Sequence, residues 1–249
     1  MDKYLKLIIL IMLLFSPVIA AYGISEETVP EGTTESFDRV QISFIANKGQ
    51  IENKEAAYFV RLPERFIYVD KKGVITYTFS SPGKNDIVIH EIVSGKNISV
   101  TPLEPPPERA IAVMRQKGKL AGENLNYYRL SYGAIHEGIE LQLLAFTDTL
   151  EKIFTVSPGG DPGRIAVKLK GAEKLKVNDA GMLEIITQQG PVTFGQPHAY
   201  QFMGEERKPV EVAYSIRKDD AYGFNLGSYD KTQPLFIAPL IPAFLLFAP

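Results

Sequence analysis

The amino-acid sequence predicts an all-β protein: an antiparallel β-sandwich-like fold with little helix outside its N-terminal apolar segment. Short apolar segments alternate with polar residues at a period of two, which is typical of strands with one buried face. These segments recur roughly every 8–12 residues, and turn-forming residues lie between them. No long window carries an apolar stripe at the helical period of about 3.6 residues. Two packed β subdomains are the alternative within this fold class.

The clearest alternation lies in residues 150–172. Apolar residues share one parity in each half of this stretch: Leu150, Phe154 and Val156 in the first, Ile165, Val167 and Leu169 in the second. A Pro-Gly-Gly-Asp-Pro-Gly segment separates the halves. Because proline cannot donate to a strand ladder and glycine accepts a positive φ, we expect a turn at the margin of a sheet here.

Residues 1–21 have the features of a secretory signal peptide. Lys3 and Lys6 precede an apolar run over residues 7–15, and small residues follow up to Ala20 and Ala21. An uncleaved anchor is the alternative, but the apolar run is shorter than the roughly 20 residues that span a bilayer. We therefore predict export to the periplasm, cell surface or medium. Residues 22–39 are polar and acidic, and we interpret them as a flexible leader.

The β-rich domain is predicted over residues 40–240. Turn sequences with Gly, Asn and Asp separate the predicted strands, as at residues 70–73, 178–181, 204–206 and 218–223. The remaining strand candidates are residues 40–44, 58–62, 66–69, 74–79, 87–93, 139–143, 175–177, 182–187, 200–203, 210–216, 224–226 and 235–237.

Two segments interrupt the regular alternation. Residues 102–107 contain four prolines and are the best candidate for an internal boundary; we interpret them as a stiff connector, with a domain linker as the alternative. Residues 109–120 are the only helix-like piece. At the C-terminus, residues 241–249 form an apolar tail in which Pro242 and Pro249, with Pro239 before them, are expected to break any regular element. We expect this tail to be a docked or truncated end that follows the last core strand. The alternative is an apolar patch that binds a partner or a following domain.

Composition excludes several classes of function. The formal net charge is −2, so no basic field is present to hold nucleic acid. The chain has no cysteine, which excludes disulfides, thiolate zinc sites, iron–sulfur clusters and a cysteine nucleophile. It also has no tryptophan, the largest aromatic platform for a sugar ring.

The titratable residues form no recognisable catalytic or metal-binding motif. His90, His136 and His198 lack metal-ligand spacing; we place His90 on a strand face and the other two beside turns. Two carboxylates at a suitable separation could serve a glycosidase, but sequence does not give that separation. Asp161 and Asp179 are better explained as turn formers. The candidate carboxylates are Glu137, Glu140, Glu151, Asp161, Asp179, Glu184, Asp219 and Asp220.

Nucleophile and phosphate-binding motifs are also missing from the sequence. It contains no Gly-x-Ser-x-Gly, no Gly-rich phosphate loop and only isolated Ser-x-x-Lys spacings. We therefore expect no catalytic, cofactor-binding or metal-binding residues, no cofactor and no enzymatic activity.

Several motifs together resemble the uncharacterised domain that precedes seven-bladed-propeller-type (SBBP) repeats in large secreted bacterial proteins. The resemblance is strongest in residues 150–172, which match an L-E-x-x-F-x-V-x-P-G-x-D-P signature. The chain departs from the family pattern at three positions. Lys72 stands where an acidic residue is usual, and Glu140 and Ala238 each stand in place of an aspartate. The segment between Tyr128 and Ile139 is shorter than usual, and no repeats follow Ile241. The other matching stretches are residues 44–50, 69–77, 126–128, 138–141, 229–230 and 234–237.

The resemblance implies a β-rich exported bacterial module and no assigned activity. We accordingly expect a non-catalytic structural or interaction module of the cell surface or secretome. Its partner would be a following repeat domain or a surface protein, contacted through the apolar C-terminal segment, with no nucleic acid and no membrane span in the mature chain. The alternative function is a carbohydrate-binding or carbohydrate-cleaving module, which would need tyrosines and carboxylates gathered in a groove.

Overall fold

Alternating apolar residues produce 20 strands in the described part of the chain. The computed structural model describes residues 40–62, 65–79, 85–96, 98–105 and 126–242. Helical structure there is confined to one 3₁₀ turn, Pro162–Arg164. The strands are β1 (Gln41–Ile42), β2 (Phe44–Ala46), β3 (Ala56–Leu62), β4 (Arg65–Asp70), β5 (Val74–Phe79), β6 (Ile87–Val93), β7 (Thr101–Leu103), β8 (Asn126–Tyr127), β9 (Arg129–His136), β10 (Ile139–Phe146), β11 (Thr149–Val156), β12 (Val167–Lys170), β13 (Lys174–Val177), β14 (Leu183–Thr187), β15 (Gly190–Phe194), β16 (Pro197–Met203), β17 (Glu206–Val210), β18 (Val212–Arg217), β19 (Ala221–Leu226) and β20 (Leu235–Pro242).

The strands form three antiparallel sheets. Sheet A has the order β17-β16-β20-β11-β10-β9-β7, and β1 also pairs with β10. Sheet B has the order β18-β19-β12-β6-β5-β4-β3-β2-β8. Sheet C is the meander β13-β14-β15. The antiparallel, sandwich-like, all-β class predicted from the sequence is confirmed.

The sheets pack against one another through their apolar faces. Phe154 of sheet A meets Phe224 of sheet B with ring centroids 5.8 Å apart, and Tyr77 of sheet B meets Phe194 of sheet C at the same centroid distance. The predicted alternation holds in detail: Ile139, Leu141, Leu143 and Ala145 of β10 are all buried. Buried residues of the three sheets belong to one hydrophobic cluster, so the sheets share a core.

The 150–172 stretch joins the two large sheets. Its apolar residues are buried at the predicted parity. However, β11 lies in sheet A and β12 in sheet B, so the Pro-Gly-Gly-Asp-Pro-Gly segment carries the chain from one sheet to the other. Asp161 closes this connection, because its side chain accepts a hydrogen bond from the Gly163 N–H at 2.9 Å. Its predicted role as a turn former is confirmed.

Several sequence-based expectations about elements are wrong. The single strand expected over residues 210–216 is two strands, β17 and β18, which belong to different sheets and meet at Glu211. His198 lies within β16 rather than beside a turn. The turn expected over residues 218–223 ends earlier, because Asp219 and Asp220 adopt positive φ angles of 61° and 54° and β19 begins at Ala221.

Proline is tolerated in strands at two places where the sequence predicted a break. Pro102 lies in β7, an edge strand, where a missing N–H donor costs little. Strand β20 was expected only over residues 235–237 but continues through Pro239 to Pro242. Its pairing with β11 runs from Thr149–Pro242 to Val156–Leu235 and is interrupted between Glu151–Leu240 and Phe154–Ile237, next to Pro239. The ladder therefore accommodates the proline by a local gap.

The side chain that closes the 178–181 turn is not the one expected from the sequence. Asn178 rather than Asp179 closes it: the Asn178 side-chain oxygen accepts from the Met182 N–H at 3.0 Å, and its amide donates to Glu184 at 3.0 Å. At the 70–73 turn, Asp70 accepts hydrogen bonds from the N–H groups of Lys72 and Val74, each at 2.8 Å.

Some predictions fall on residues that the structure does not describe. The signal peptide (1–21), the leader (22–39), the helix-like piece (109–120) and the end of the apolar tail (243–249) lie outside the described residues. The suggested boundary near 102–107 is described only to residue 105 and stays a prediction. Within the described ranges, no helix has the length and apolar character needed to cross a bilayer.

Candidate functional site

A buried charge pair lies between the two large sheets. Lys152 of β11 in sheet A and Glu91 of β6 in sheet B approach to 2.5 Å between Lys152 Nζ and Glu91 Oε1. Both side chains are fully buried. Each occupies a position at which the alternation of its strand demands an apolar residue, since Leu150 and Phe154 flank Lys152 in the buried face and Ile89 and Val93 flank Glu91.

Two tyrosines complete the hydrogen bonding of this pair. The Tyr222 hydroxyl donates to Glu91 Oε1 at 2.6 Å and accepts from Lys152 Nζ at 2.6 Å. The Tyr77 hydroxyl donates to the other carboxylate oxygen, Oε2, at 2.5 Å. We call Glu91, Lys152, Tyr77 and Tyr222 the buried cluster. Its hydrogen bonds offset part of the large cost of removing two charges from water.

Aromatic rings surround the buried cluster. The Lys152 ammonium lies 5.4 Å from the ring centroids of both Phe194 and Tyr222, within the range of a cation–π attraction. The Tyr132 hydroxyl is buried and has no hydrogen-bond partner among the described residues. Tyr214 packs edge-on against Tyr222 at 5.5 Å and donates to the Gly195 carbonyl at 2.8 Å. Charge at this site is therefore enclosed by apolar and weakly polar groups.

Burial dominates the electrostatics of this site. Loss of solvent lowers the pKa of Lys152 because it disfavours the ammonium, and the charge of Glu91 opposes that effect. The pKa values of Tyr77, Tyr222 and Tyr132 are raised well above the ordinary value, first by burial and then by the negative charge of Glu91. The tyrosines therefore remain neutral hydrogen-bond donors.

The buried cluster can hold a proton and share it among neighbouring atoms. Tyr222 contacts both the amine and the carboxylate, so its hydroxyl bridges the two groups. Because the side chains of Glu91 and Lys152 have no solvent exposure, a dissolved substrate has no contact with them in this structure.

Sequence reasoning missed the buried cluster, although a signal was present. Glu91 and Lys152 are oppositely charged, and each stands at the buried parity of a strongly alternating strand. Charged residues are almost never fully buried unless paired. Two such exceptions of opposite sign in one all-β domain predict a contact between their strands.

The histidines named from the sequence do not come together. His90 of β6 exchanges a hydrogen bond with Thr76 Oγ1 at 2.9 Å, and burial followed by the charge of Lys170 lowers its pKa. His136 lies 3.2 Å from Ser94 Oγ, and burial followed by the charge of Arg164 lowers its pKa. Among the described residues, no three His, Asp or Glu side chains are grouped so that they could hold a metal ion.

The named carboxylates are dispersed over loops and strand faces. Glu184 pairs with Lys176 at 2.7 Å, and hydrogen bonds from Lys176 and Asn178 lower its pKa. Asp161 belongs to the crossover, and Asp219 and Asp220 form the β18–β19 turn. Glu140 lies exposed on β10 and Glu137 in the turn before it, while Glu151 lies half-buried on β11 and Asp179 in the turn before β14.

An open groove of about 680 Å³ lies beside the loop between β2 and β3. The loop is built by Asn47, whose amide donates to the carbonyls of Asn53 and Ala56 at 3.0 and 2.9 Å and whose oxygen accepts from the Gly49 N–H at 2.9 Å. The Asn-Lys-Gly-Gln motif at residues 47–50 therefore has a structural role in shaping this loop. Several lysines line the groove, among them Lys48, Lys71 and Lys72.

The outer face of sheet A carries an aromatic patch formed by Tyr200, Phe202, Phe236 and Arg207. Tyr200 stacks on Phe236 with centroids 5.1 Å apart and an interplanar angle of 13°. Arg207 lies 3.6 Å from the centroid of the Tyr200 ring. Phe202 crosses Phe236 edge-on at 5.7 Å and remains 37% exposed. Aromatic and arginine side chains of this kind are enriched in protein–protein interfaces.

Comparisons with known proteins connect the chain to one family. Searches among curated proteins and among solved structures found no match. The family model that matches residues 44–240 is described as a domain of unknown function, DUF7948. This match covers β2 through most of β20, so it includes both large sheets, the crossover and the buried cluster. The chain belongs to the DUF7948 family.

Proposed function

We propose that this protein is an exported, non-catalytic structural or interaction module of the bacterial cell surface or secretome, of the kind that precedes SBBP repeats. The observation that carries the proposal is the burial of Glu91 and Lys152. The buried cluster, where titratable groups converge, is sealed inside the core. An enzyme needs such groups at a cleft that substrate can enter.

The aromatic patch supports an interaction role. It presents Phe202 to solvent and is held rigid by the Tyr200–Phe236 stack. Rigid aromatic anchors provide contact area at a small cost in side-chain entropy. We assign to this patch the docking of a following SBBP repeat domain, whose exposed first strands the module would cover.

The start of the apolar C-terminal segment belongs to the core, whereas the sequence suggested a contact with a partner. Leu240 and Ile241 are strand residues of β20, and the Ile241 carbonyl accepts a hydrogen bond from buried Thr149 at 2.6 Å. Removing residues 240–249 would therefore damage the core as well as any docking surface. A deletion that tests docking by the tail has to begin at residue 243.

A binding assay with purified SBBP repeats tests the proposed function. We expect Phe202→Asp to weaken binding at least about tenfold, which corresponds to about 1.4 kcal/mol. Ile216→Asp is the matched control, because Ile216 is similarly exposed (42%) but lies in sheet B. Equal loss in both variants, or no binding by the wild-type protein, would contradict the proposal. Amino-terminal sequencing of the protein recovered outside the cytoplasm tests export, with a start at Ala21 or Tyr22 expected.

Carbohydrate binding is the second candidate, and the aromatic patch is the observation that favours it. Aromatic rings on a sheet face can stack on sugar rings. Burial raises the pKa of Tyr200, Arg207 opposes that effect, and the charge of Glu151 adds to it, so a carboxylate lies near the ring. Phe236 and Arg207 already lie against the Tyr200 ring, which leaves less of its face for a sugar. A glycan array and hydrolysis assays on cell-wall polymers separate the two functions.

A further inference from the structure

Glu91 and Lys152 are placed for a reaction with each other. Lys152 Nζ contacts Oε1, one of the two oxygens on the carboxyl carbon of Glu91, at 2.5 Å. The two residues are 61 positions apart in sequence and come from strands of opposite sheets. Both are fully buried, and their described hydrogen-bond partners within the buried cluster are neutral tyrosines.

The surroundings disfavour a pair of buried charges, because both side chains are fully removed from water. In a medium of low polarity, transfer of one proton from the ammonium to the carboxylate removes two buried charges at once. The transfer leaves a neutral amine, which is a nucleophile, in contact with a neutral carboxylic acid. Reacting groups held in contact behave as though present at very high concentration, and a dry site opposes the reverse hydrolysis.

We propose that Lys152 and Glu91 condense spontaneously to an amide, a covalent cross-link between β11 and β6. The Lys152 Nζ lone pair attacks Cδ of Glu91, so the Nζ–Cδ bond forms. The Cδ–Oε1 bond then breaks, and Oε1 leaves as water with the acid proton of Glu91 and one proton from Nζ. The products are one secondary amide and one water molecule, and nothing is oxidised or reduced.

The tyrosines of the buried cluster match the needs of this reaction. Tyr222 contacts both Nζ and Oε1 at 2.6 Å, so its hydroxyl can pass the proton from the attacking nitrogen to the departing oxygen. Tyr77 donates to Oε2, the oxygen that becomes negatively charged when Nζ adds to the carbon.

The cross-link would connect sheet A to sheet B in a chain that has no cysteine. It would act as a disulfide does, by restricting the unfolded chain, but would not depend on the redox state of the surroundings.

Mass spectrometry of the purified full chain under denaturing conditions tests the proposal. The expected intact mass is lower by one water than the mass calculated for the same N-terminus. Trypsin does not cleave at an acylated lysine, so the expected digest contains residues 85–96 joined to residues 130–164 in one branched peptide. A wild-type protein of unreduced mass that yields free 85–96 and 130–152 peptides would overturn the proposal.

Variants separate the reaction from other losses of water. Lys152→Arg, which keeps the charge but replaces the amine, is expected to show the full calculated mass. Glu91→Gln is expected to form the same amide with loss of ammonia in place of water. Tyr222→Phe, which removes only the bridging hydroxyl, is expected to form the cross-link at least tenfold more slowly after refolding. Loss of one water that persists in Lys152→Arg would place the modification elsewhere and overturn the assignment.

Discussion

Before the cross-link forms, the positive charge of Lys152 is tolerated in the core because Glu91, Tyr222 and the ring of Phe194 surround it. Such an arrangement is asymmetric in energy. A buried ion pair contributes little relative to a well-packed apolar pair, but removal of one partner leaves an uncompensated charge in a medium of low polarity. Single and double substitutions in the pair should therefore behave very differently.

We predict that Glu91 left without its partner is strongly unfavourable. Neither Lys152→Met nor the double variant Lys152→Met with Glu91→Gln can form the cross-link, so the two are compared with each other. The free energy of unfolding should be about 3–5 kcal/mol lower for the single variant, because only it leaves a buried charge unpaired. Urea unfolding followed by circular dichroism measures both. Lys168→Met, at an exposed position of β12, should change the free energy by no more than about 0.5 kcal/mol. A double variant less stable than the single would contradict this account.

His90 makes the stability of the folded protein depend on pH. Burial and Lys170 lower its pKa in the folded state below the ordinary value of 6.5, so the unfolded chain binds a proton first as the pH falls. Stability should therefore decline as the pH is lowered from about 6.5 through the folded-state pKa. The urea midpoint, measured as a function of pH, should fall less steeply for His90→Gln than for the wild type. His198→Gln, at an exposed position of β16, is the control and should keep the wild-type slope.

At the scale of elements, the crossover between β11 and β12 depends on close backbone contact. A Cβ added at Gly160 would lie 2.7 Å from the Gly138 carbonyl oxygen, a distance that real Cβ atoms essentially never show. Gly159 beside it has φ +81° and nothing within 4 Å of an added Cβ. The two positions differ in the reason that each requires glycine.

We expect Gly160→Ala to be the more damaging of two adjacent substitutions. Gly159→Ala should cost about 1–2 kcal/mol for the left-handed backbone alone. Gly160→Ala should cost more, because the backbone at Gly138 must move, and rigid contacts of this kind yield only at the expense of packing. Thermal unfolding of both variants measures the difference. Equal midpoints would show that the Gly138–Gly160 contact is not constrained.

Strand positions could be predicted from the sequence, but sheet membership could not. Period-two alternation located β10, β11 and β12 and their buried faces, because parity is a local property of the chain. Nothing local distinguishes β11 from β12 as members of different sheets, since that depends on pairing with β20 and β6 far along the chain. The division at Glu211 was missed for the same reason.

The buried cluster could be predicted only in part. Alternation placed residue 152 in the core, and only its chemical type conflicted with that position. Its pairing with Glu91 required the packing of sheet A on sheet B, which no spacing in the sequence encodes. The aromatic patch depends on pairing in the same way. Tyr200 and Phe236 are 36 residues apart in sequence and meet because β16 pairs with β20 in this register.

At the scale of the whole molecule, three sheets share one hydrophobic cluster, and the contacts that close it are distant in sequence. Glu91 and Lys152 connect the two large sheets, and Phe194 brings sheet C into the same core. Proteins dominated by such non-local strand pairings fold slowly compared with helical proteins of equal size.

The position of β20 has a consequence for the order in which the molecule can form. This strand, the last that the structure describes, lies between β11 and β16 rather than at an edge. During synthesis from the N-terminus, both neighbours would present unsatisfied N–H and C=O groups until residues 235–242 emerge, and open strand edges of that kind invite pairing with other chains. The chain is therefore open to such pairing until residues 235–242 insert, and from that moment the two halves of sheet A become one.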